Sequence, residues 1–313
     1  MITDALQSIL TIVIMVSTGY FLTARGWFDD DTAKLFSRLV VKISLPVFLF
    51  SNLYTAFDRE ELVVLCKSLI YPALTMIFMY ALGLVFLKLL KTAPGRKGIF
   101  LVMFSFSNTV FIGLPVNVSL FGEASVPYVV MFYTVNTLLF WTIGINAIKK
   151  DDPSGHTRGS AAEGIRNIVS PPLVAFLISI VLIALNIPMP RFVMDTAGYL
   201  GSLTTPLSML FMGITIYNID LSKIRIDREM IAIIAGRFLI APVIVYLLFV
   251  SINIPLLMKK VFIIEAAMPV MVQCAIVAKT YGADYKYATI MVAVTTIVGM
   301  AFIPVYMLIL GGL

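Results

Sequence analysis

Charged residues are scarce in this chain of 313 residues: they make up 13% of it, whereas a soluble domain carries about 25%. Hydrophobic residues make up 60% of the chain, and its mean hydropathy is +1.00. A soluble globule cannot bury that much apolar surface, because single hydrophobic cores stop growing at about 250–300 residues. The composition therefore excludes a soluble enzyme and a disordered scaffold, and it predicts an all-α polytopic membrane protein.

Histidine and cysteine are almost absent. The chain has one histidine, His156, in a polar loop, and two cysteines, Cys66 and Cys274, in apolar runs. These residues cannot build a zinc cluster or a disulfide framework. The sequence has no phosphate-binding motif G-x-x-x-x-G-K-[ST], and no apolar run holds a histidine or an H-E-x-x-H motif. We therefore expect no enzymatic activity, no metal and no cofactor.

Ten apolar runs are long enough to cross a bilayer, which takes about 20 residues each. They are 5–23, 33–55, 62–87, 98–121, 124–148, 168–186, 197–218, 229–251, 259–280 and 284–310. The first run follows no basic segment and shows no small-residue cleavage site, so we expect a span and not a cleaved signal.

The basic residues lie in short loops between these runs, so the net charge of +6 does not indicate a nucleic-acid partner. They concentrate in the odd-numbered loops, as with Lys88, Lys91, Arg96 and Lys97 in the third. Cytoplasmic loops carry the excess of Lys and Arg. This predicts a protein of the cell (inner or plasma) membrane, with both termini outside and the central loop, 149–167, in the cytoplasm.

The central loop 149–167 divides the runs into two groups of five, in residues 1–148 and 168–313. Because five is an odd number, the two halves must enter the membrane from opposite sides. Each half has a proline at a similar depth of its second run, Pro46 and Pro206. The pattern predicts ten transmembrane helices in a 5+5 inverted repeat.

The fourth run of each half contains residues that interrupt helices. They are Asn108, Gly113, Pro115 and Asn117 in the first half, and Glu265, Pro269 and Gln273 in the second. Proline removes a backbone donor and clashes with the preceding turn, and glycine permits non-helical angles. Interrupted helices at matching positions of two halves are the best sequence pointer to a transporter site.

Pro115 and Pro269 each suit the first position of a restarting helix. Since the fourth and ninth spans run in opposite directions, the restarting segments would bring two helix N-termini to the membrane midplane. Each N-terminus carries about half a positive charge and free N–H groups. We therefore predict a site for an anion such as a carboxylate.

Three further polar residues have two interpretations each. Arg237, in the eighth span, would bind the substrate anion or pair with Glu265, or else hold helices together. Glu265 would carry a proton or bind a cation, or else satisfy free N–H groups at the break. Asn136 would line the site or hydrogen-bond between helices. Trp141 is interpreted as an interfacial anchor.

The motifs around the breaks resemble those of the auxin efflux carrier family, which includes plant PIN-type exporters and bacterial malate or malonate permeases. The resemblance covers the whole chain. Its motifs are Ser107-Asn108-Thr109 with Gly113-Leu114-Pro115, Ala267-Met268-Pro269 with Ala278-Lys279-Thr280-Tyr281-Gly282, and Ser44-Leu45-Pro46.

The family is similar to bile acid–sodium symporters, and the resemblance implies their architecture. Spans 1, 2, 6 and 7 would form a scaffold domain, and spans 3–5 and 8–10 a core domain in which broken helices four and nine cross. Substrate would lie between the two domains, with Ser51 facing it from the scaffold, and transport would be elevator-like. A homodimer through the scaffold is also implied.

The sequence thus predicts a secondary active transporter of a small organic anion, a carboxylate such as malate, malonate or an auxin-like acid. It would lie in the lipid bilayer with H⁺ or Na⁺ coupling through Glu265. The alternative is an anion-selective channel, which counterflow experiments would distinguish. The candidate substrate-binding residues are Asn108, Gly113, Pro115, Asn117, Met268, Pro269, Gln273, Arg237, Ser51 and Asn136.

Overall fold

The computed structural model describes residues 2–57, 59, 67–152, 171–218 and 226–311. Every regular element in these ranges is a helix, and their β-type pairing is an isolated antiparallel bridge between Ser107 and Val270. The prediction of an all-α protein is confirmed for this part of the chain. Cys66, His156 and most of the central loop lie outside the described residues.

Twelve helices are distinguished in the described ranges. They are α1 (Ile2–Ala24), α2 (30–56), α3 (Ile70–Leu90), α4 (Lys97–Ser105), α5 (Thr109–Phe121), α6 (Glu123–Lys149), α7 (Pro171–Ala184), α8 (Arg191–Tyr217), α9 (Arg228–Phe249), α10 (Leu256–Ala266), α11 (Gln273–Thr280) and α12 (Tyr285–Gly311). The predicted fourth span is divided into α4 and α5, and the predicted ninth into α10 and α11.

Five of the described helices, α3, α6, α8, α9 and α12, are long and apolar enough to cross a membrane. Helices α5 and α7 and the segment Leu10–Ala24 of α1 are apolar but shorter. The structure is that of a polytopic helical membrane protein, while the full count of ten spans stays a prediction.

Several of the described helices contain a five-residue π-helical turn, and three of these turns are followed by proline. The turns Val40–Ser44, Thr109–Gly113 and Gly236–Ile240 precede Pro46, Pro115 and Pro242, each in the first two positions of the next α-helical segment. Proline has no N–H and clashes with the carbonyl four residues earlier. A widened turn before the ring relieves that clash without ending the helix.

Helices α1, α2, α7 and α8 pack on one another: α1 lies along α8, and α2 lies against α7 and α8. Glycines permit the close approaches. A Cβ atom on Gly213 of α8 would collide with the backbone of α1 at Val16, and a Cβ on Gly201 would come within 2.9 Å of the Phe48 Cα atom in α2. Small residues let helix backbones approach closely in membrane proteins, where packing drives association.

Helices α4 and α10 lie at the centre of the group that the remaining helices form. All residues of α4 from Gly98 to Ser105 are buried, and so is the segment of α10 from Val261 to Ala266. A helix that is apolar on every side belongs in the middle of a bundle. Both helices end inside the protein, and these two ends position the candidate site.

Candidate functional site

The first break separates α4 from α5. The chain leaves α4 after Ser105, is extended at Phe106 and becomes helical again at Thr109. Asn136 of α6 holds the extended segment: its Oδ1 accepts from the Ser107 N–H at 3.2 Å, and its Nδ2 donates to the Ser107 carbonyl at 3.1 Å. The Asn108 side chain caps α5 by accepting from the Phe111 N–H at 3.2 Å. Side-chain amides therefore replace the backbone bonds that the break removes.

The second break separates α10 from α11, and the non-helical segment is 267–272. The Val270 N–H donates to the Thr295 hydroxyl of α12 at 3.2 Å. Thr295 thus serves the second break as Asn136 serves the first. The two breaks contact each other, because the Asn108 N–H donates to the Pro269 carbonyl at 2.9 Å beside the Ser107–Val270 bridge.

Neither helix restarts at the proline where the sequence placed it. Helix α5 begins at Thr109, before Pro115, because the π-helical turn accommodates the ring inside the helix. Helix α11 begins at Gln273, after Pro269, whose carbonyl is already bonded to the other break. The expectation on the restart position was wrong for Pro269. Pro115 does lie in the first two positions of the α-helical segment Leu114–Phe121, but a π-helical turn precedes that segment.

Arg237 joins the two C-terminal helix ends. Its side chain is 1% exposed, and its guanidinium donates to the Phe104 carbonyl of α4 at 3.4 Å and to the Ala266 carbonyl of α10 at 2.7 Å. A third bond goes to the Met268 carbonyl at 3.0 Å. The C-terminus of a helix carries about half a negative charge. One arginine therefore compensates two helix ends, and these contacts favour its structural interpretation over substrate binding.

Glu265 is buried and forms a polar contact with α5. Its Oε1 accepts from Asn117 Nδ2 at 2.7 Å, and the same amide donates to the Gly113 carbonyl at 2.9 Å. A Cβ atom on Gly113 would lie 2.5 Å from both Glu265 carboxylate oxygens, so only glycine leaves room for them. Glu265 Oε2 and Asn117 Oδ1 are buried without hydrogen-bond partners. Two unsatisfied acceptors thus lie in one polar cluster.

A cavity of about 200 Å³ lies where the two breaks meet. Its walls come from both breaks, from α6 and from the π-helical turn of α2. The lining residues are Val41, Ser107, Asn108, Thr109, Val110, Tyr133, Thr137, Trp141, Met271 and Gln273. None of these residues is charged at neutral pH. The cavity borders the first residues of both α5 and α11, so two helix N-termini face the same space.

Two of the predicted candidates, Asn108 and Gln273, line this cavity. Gly113, Asn117 and Glu265 form the polar cluster beside it, and Pro115 is buried within α5. The side chains of Arg237 and Asn136 hold the breaks by hydrogen bonds to the backbone, and Met268 and Pro269 accept hydrogen bonds there through their carbonyl oxygens. Ser51 donates to the Phe48 carbonyl of its own helix at 3.2 Å and is not among the lining residues.

Sequence reasoning missed the wall that α6 contributes. Tyr133, Thr137 and Trp141 are spaced four residues apart and line the cavity as one face of the helix. This spacing of polar and aromatic residues in an apolar run was the available signal. Trp141 is partly buried and lines the cavity, a position that its interpretation as an interfacial anchor did not include.

Replacing Arg237 with glutamine should destabilise the fold rather than weaken anion binding alone. The variant loses bonds to carbonyls at two buried helix ends, and unsatisfied buried groups cost about 1–3 kcal/mol each. We expect a clear fall in the thermal unfolding midpoint and an anion affinity within about twofold of wild type in the folded fraction. Arg228→Gln, at the exposed start of the same helix, is the control. Unchanged stability with lost affinity would instead assign Arg237 to substrate.

Known sequences that are similar to this chain match nearly all of it. The sequence model described as "Membrane transport protein" matches residues 4–307. An uncharacterized transporter of Methanocaldococcus jannaschii is 26% identical over 309 residues, which cover 95% of this chain and 96% of the relative. An uncharacterized transporter of Methanothermobacter thermautotrophicus is 23% identical over 313 residues, covering 97% and 98%. The resemblance in the sequence motifs is confirmed, and the chain belongs to the membrane transport protein family that includes the auxin efflux carriers.

Proposed function

We propose that the protein is a secondary active transporter of a small organic anion across the cell membrane, and that the cavity at the meeting of the two breaks is its substrate site. The carrying observation is the position of this cavity at the start of both α5 and α11. Non-helical backbone at membrane depth is tolerated only where protein or a water-filled cavity satisfies it. Transporters place binding sites at such breaks.

The electrostatics of the cavity support a monoanion. Each helix N-terminus contributes about half a positive charge, so the two together match about one carboxylate. The described lining residues include no lysine or arginine, and Arg237 is engaged by carbonyls instead. The second carboxylate of malate or malonate would have no positive partner in this wall. The site therefore favours an acid with a single negative charge.

The size and walls of the cavity indicate the rest of the substrate. At about 200 Å³, the cavity is smaller than the roughly 300–1,000 Å³ of drug-sized pockets. Val41, Val110 and Met271 give an apolar surface, and Tyr133 and Trp141 add aromatic rings. Such walls suit a small acid with an apolar or aromatic body. Among the proposed substrates, an auxin-like acid fits better than a dicarboxylate.

The packing of the helices supports an elevator-like movement. Helices α1, α2, α7 and α8 form the proposed scaffold, and α2 contributes Val41 to the cavity wall. Phe111 of α5 meets Phe211 of α8 with ring centroids 4.8 Å apart, at an apolar contact between the two groups of helices. Motion of the remaining helices along this contact would carry the cavity across the membrane. The matching roles of Asn136 and Thr295 support the proposed 5+5 inverted repeat.

Glu265 is the proposed coupling residue. A proton could bind to the free Oε2 of Glu265. Alternatively, a bound Na⁺ could contact Oε2 and the free Oδ1 of Asn117. A buried ionisable group inside a membrane protein is costly and is typical of ion pathways. Glu265 lies beside Gly113 of α5, the helix that begins at the cavity. Protonation of Glu265, or an ion bound to it, would therefore be linked to substrate binding.

Replacing Gln273 with glutamate should reduce anion uptake. The change adds a negative charge to the cavity wall with almost no change in shape. Two like charges about 5 Å apart repel by roughly 3 kcal/mol at an effective dielectric constant of about 20. We expect at least a tenfold loss of affinity for phenylacetate in proteoliposome uptake. Gln7→Glu is the matched control, because Gln7 is exposed in α1.

Equal uptake by Gln273→Glu and wild type would contradict the proposed site.

The same vesicles distinguish a carrier from a channel. A carrier preloaded with unlabelled acid accelerates entry of labelled acid, whereas a channel shows no such counterflow.

Replacing Glu265 with glutamine should uncouple transport from the ion gradient. Glutamine keeps the side-chain shape but cannot be protonated or carry the charge that binds Na⁺. We expect uptake driven by an imposed pH or Na⁺ gradient to fall to the rate without a gradient, while counterflow persists. Glu123→Gln, at an exposed position, should behave as wild type. Persistent gradient stimulation in Glu265→Gln would assign coupling to another group.

A further inference from the structure

A second cavity lies at the end of the bundle where α3 ends, α4 begins and α6 ends. Its volume is about 590 Å³, compared with about 200 Å³ for the cavity at the breaks. The two cavities share no lining residue. This second space is called the terminal groove below, and its floor is formed by Tyr80, Leu84, Leu87, Leu101 and Ile143. The substrate site does not account for it.

The terminal groove is open on an apolar surface. Leu84 is 45% exposed although it lies on a helix that is long and apolar enough to cross a membrane. Its neighbours Val85 and Leu89 are 50% and 71% exposed. Exposed residues of this kind on a spanning helix face acyl chains in a bilayer. The floor of the groove is therefore continuous with the surface that lipid covers.

The mouth of the terminal groove is basic. Lys97 and Lys150 are both exposed there, one from α4 and one from the segment after α6, and Asn146 of α6 is exposed in the same lining. Lys88 and Lys91 lie at the same end of the bundle but outside the groove. The positive charge thus stands at the membrane edge of an apolar cleft.

The acidic residue in this lining, Asp151, is bonded to the start of α4. It is 4% exposed, and its carboxylate accepts from the Ile99 N–H at 2.9 Å in the first turn of α4. Burial raises the pKa of this carboxyl above its ordinary value, while backbone hydrogen bonds from Gly98 and Ile99 act to lower it. The carboxylate is therefore turned toward the helix N-terminus, which favours negative charge.

We propose that the terminal groove binds an anionic phospholipid, with its phosphate between Lys97 and Lys150 and an acyl chain along the apolar floor. Basic pockets between transmembrane helices at the membrane edge recognise anionic head groups. The combination of two lysines with a lipid-facing floor distinguishes this occupant from a free anion, which would need no floor.

Native mass spectrometry of the full chain in detergent tests the proposal, with dioleoylphosphatidylglycerol and dioleoylphosphatidylcholine competing as probes. We expect wild type to retain phosphatidylglycerol preferentially. Lys97→Gln/Lys150→Gln should lose about tenfold in this preference. Both lipids carry a phosphate, and the positive charge of the two lysines favours the net negative head group over the zwitterionic one. Lys88→Gln/Lys91→Gln makes the same change in net charge at the same end and should keep the preference.

A second variant tests the groove independently of charge. Asn146→Trp places a large ring at the exposed mouth and should reduce lipid retention while both lysines remain. No preference in wild type would overturn the proposal, and would be the result if another segment of this chain fills the groove. Equal losses in the two lysine pairs would also overturn it, because the attraction would then belong to the whole basic surface.

Discussion

Two helix breaks leave backbone N–H and C=O groups without helical partners in the middle of an apolar bundle, and the surrounding structure is arranged to satisfy them. The carbonyl ends of α4 and α10 converge on Arg237. The extended segments are held by Asn136 and Thr295. In a bilayer, each unsatisfied backbone group would cost several kcal/mol, so these contacts are a condition of the fold.

In this arrangement, the negative and the positive ends of the broken helices lie in different surroundings. Their negative ends face a buried arginine, and their positive ends face the cavity. The proposed site thereby gains positive potential without a lysine or arginine in its wall. Such partial charges fit a carrier, which must bind its substrate and also release it. A fully charged side chain would hold an anion more tightly in a low-dielectric site.

Glu265 is a second buried ionisable residue near the breaks, and its position depends on the absence of a side chain at Gly113. Asn117 connects the carboxylate to the carbonyl of that glycine. Helix α5 begins at the cavity, and within its first two turns it passes the Glu265 carboxylate. An ion that occupies the polar cluster would alter the same helix whose N-terminus meets the substrate. This is the physical route by which coupling is proposed.

The apolar runs predicted the helices, and the Gly, Pro and Asn residues predicted which runs are interrupted. The restart positions could not be predicted, because the π-helical turn before Pro115 and the bond to the Pro269 carbonyl depend on tertiary contacts. Of the site, Asn108 and Gln273 were predicted, whereas Tyr133, Thr137 and Trp141 were not. Their spacing of four is as typical of core packing as of a binding wall. The two interpretations of Arg237 also needed the structure, since its partners are carbonyls, which every residue has.

The central claim is that a carboxylate binds in the cavity where the breaks meet, and Trp141 offers the most direct measurement. The chain has two tryptophans, and Trp27 is 74% exposed, so Trp27→Phe leaves the cavity residue as the single reporter. Titration of this variant with phenylacetate should change the Trp141 emission saturably, and malonate should act only at higher concentration. Calorimetric binding of phenylacetate without any change in Trp141 emission would contradict the account, because the acid would then bind elsewhere.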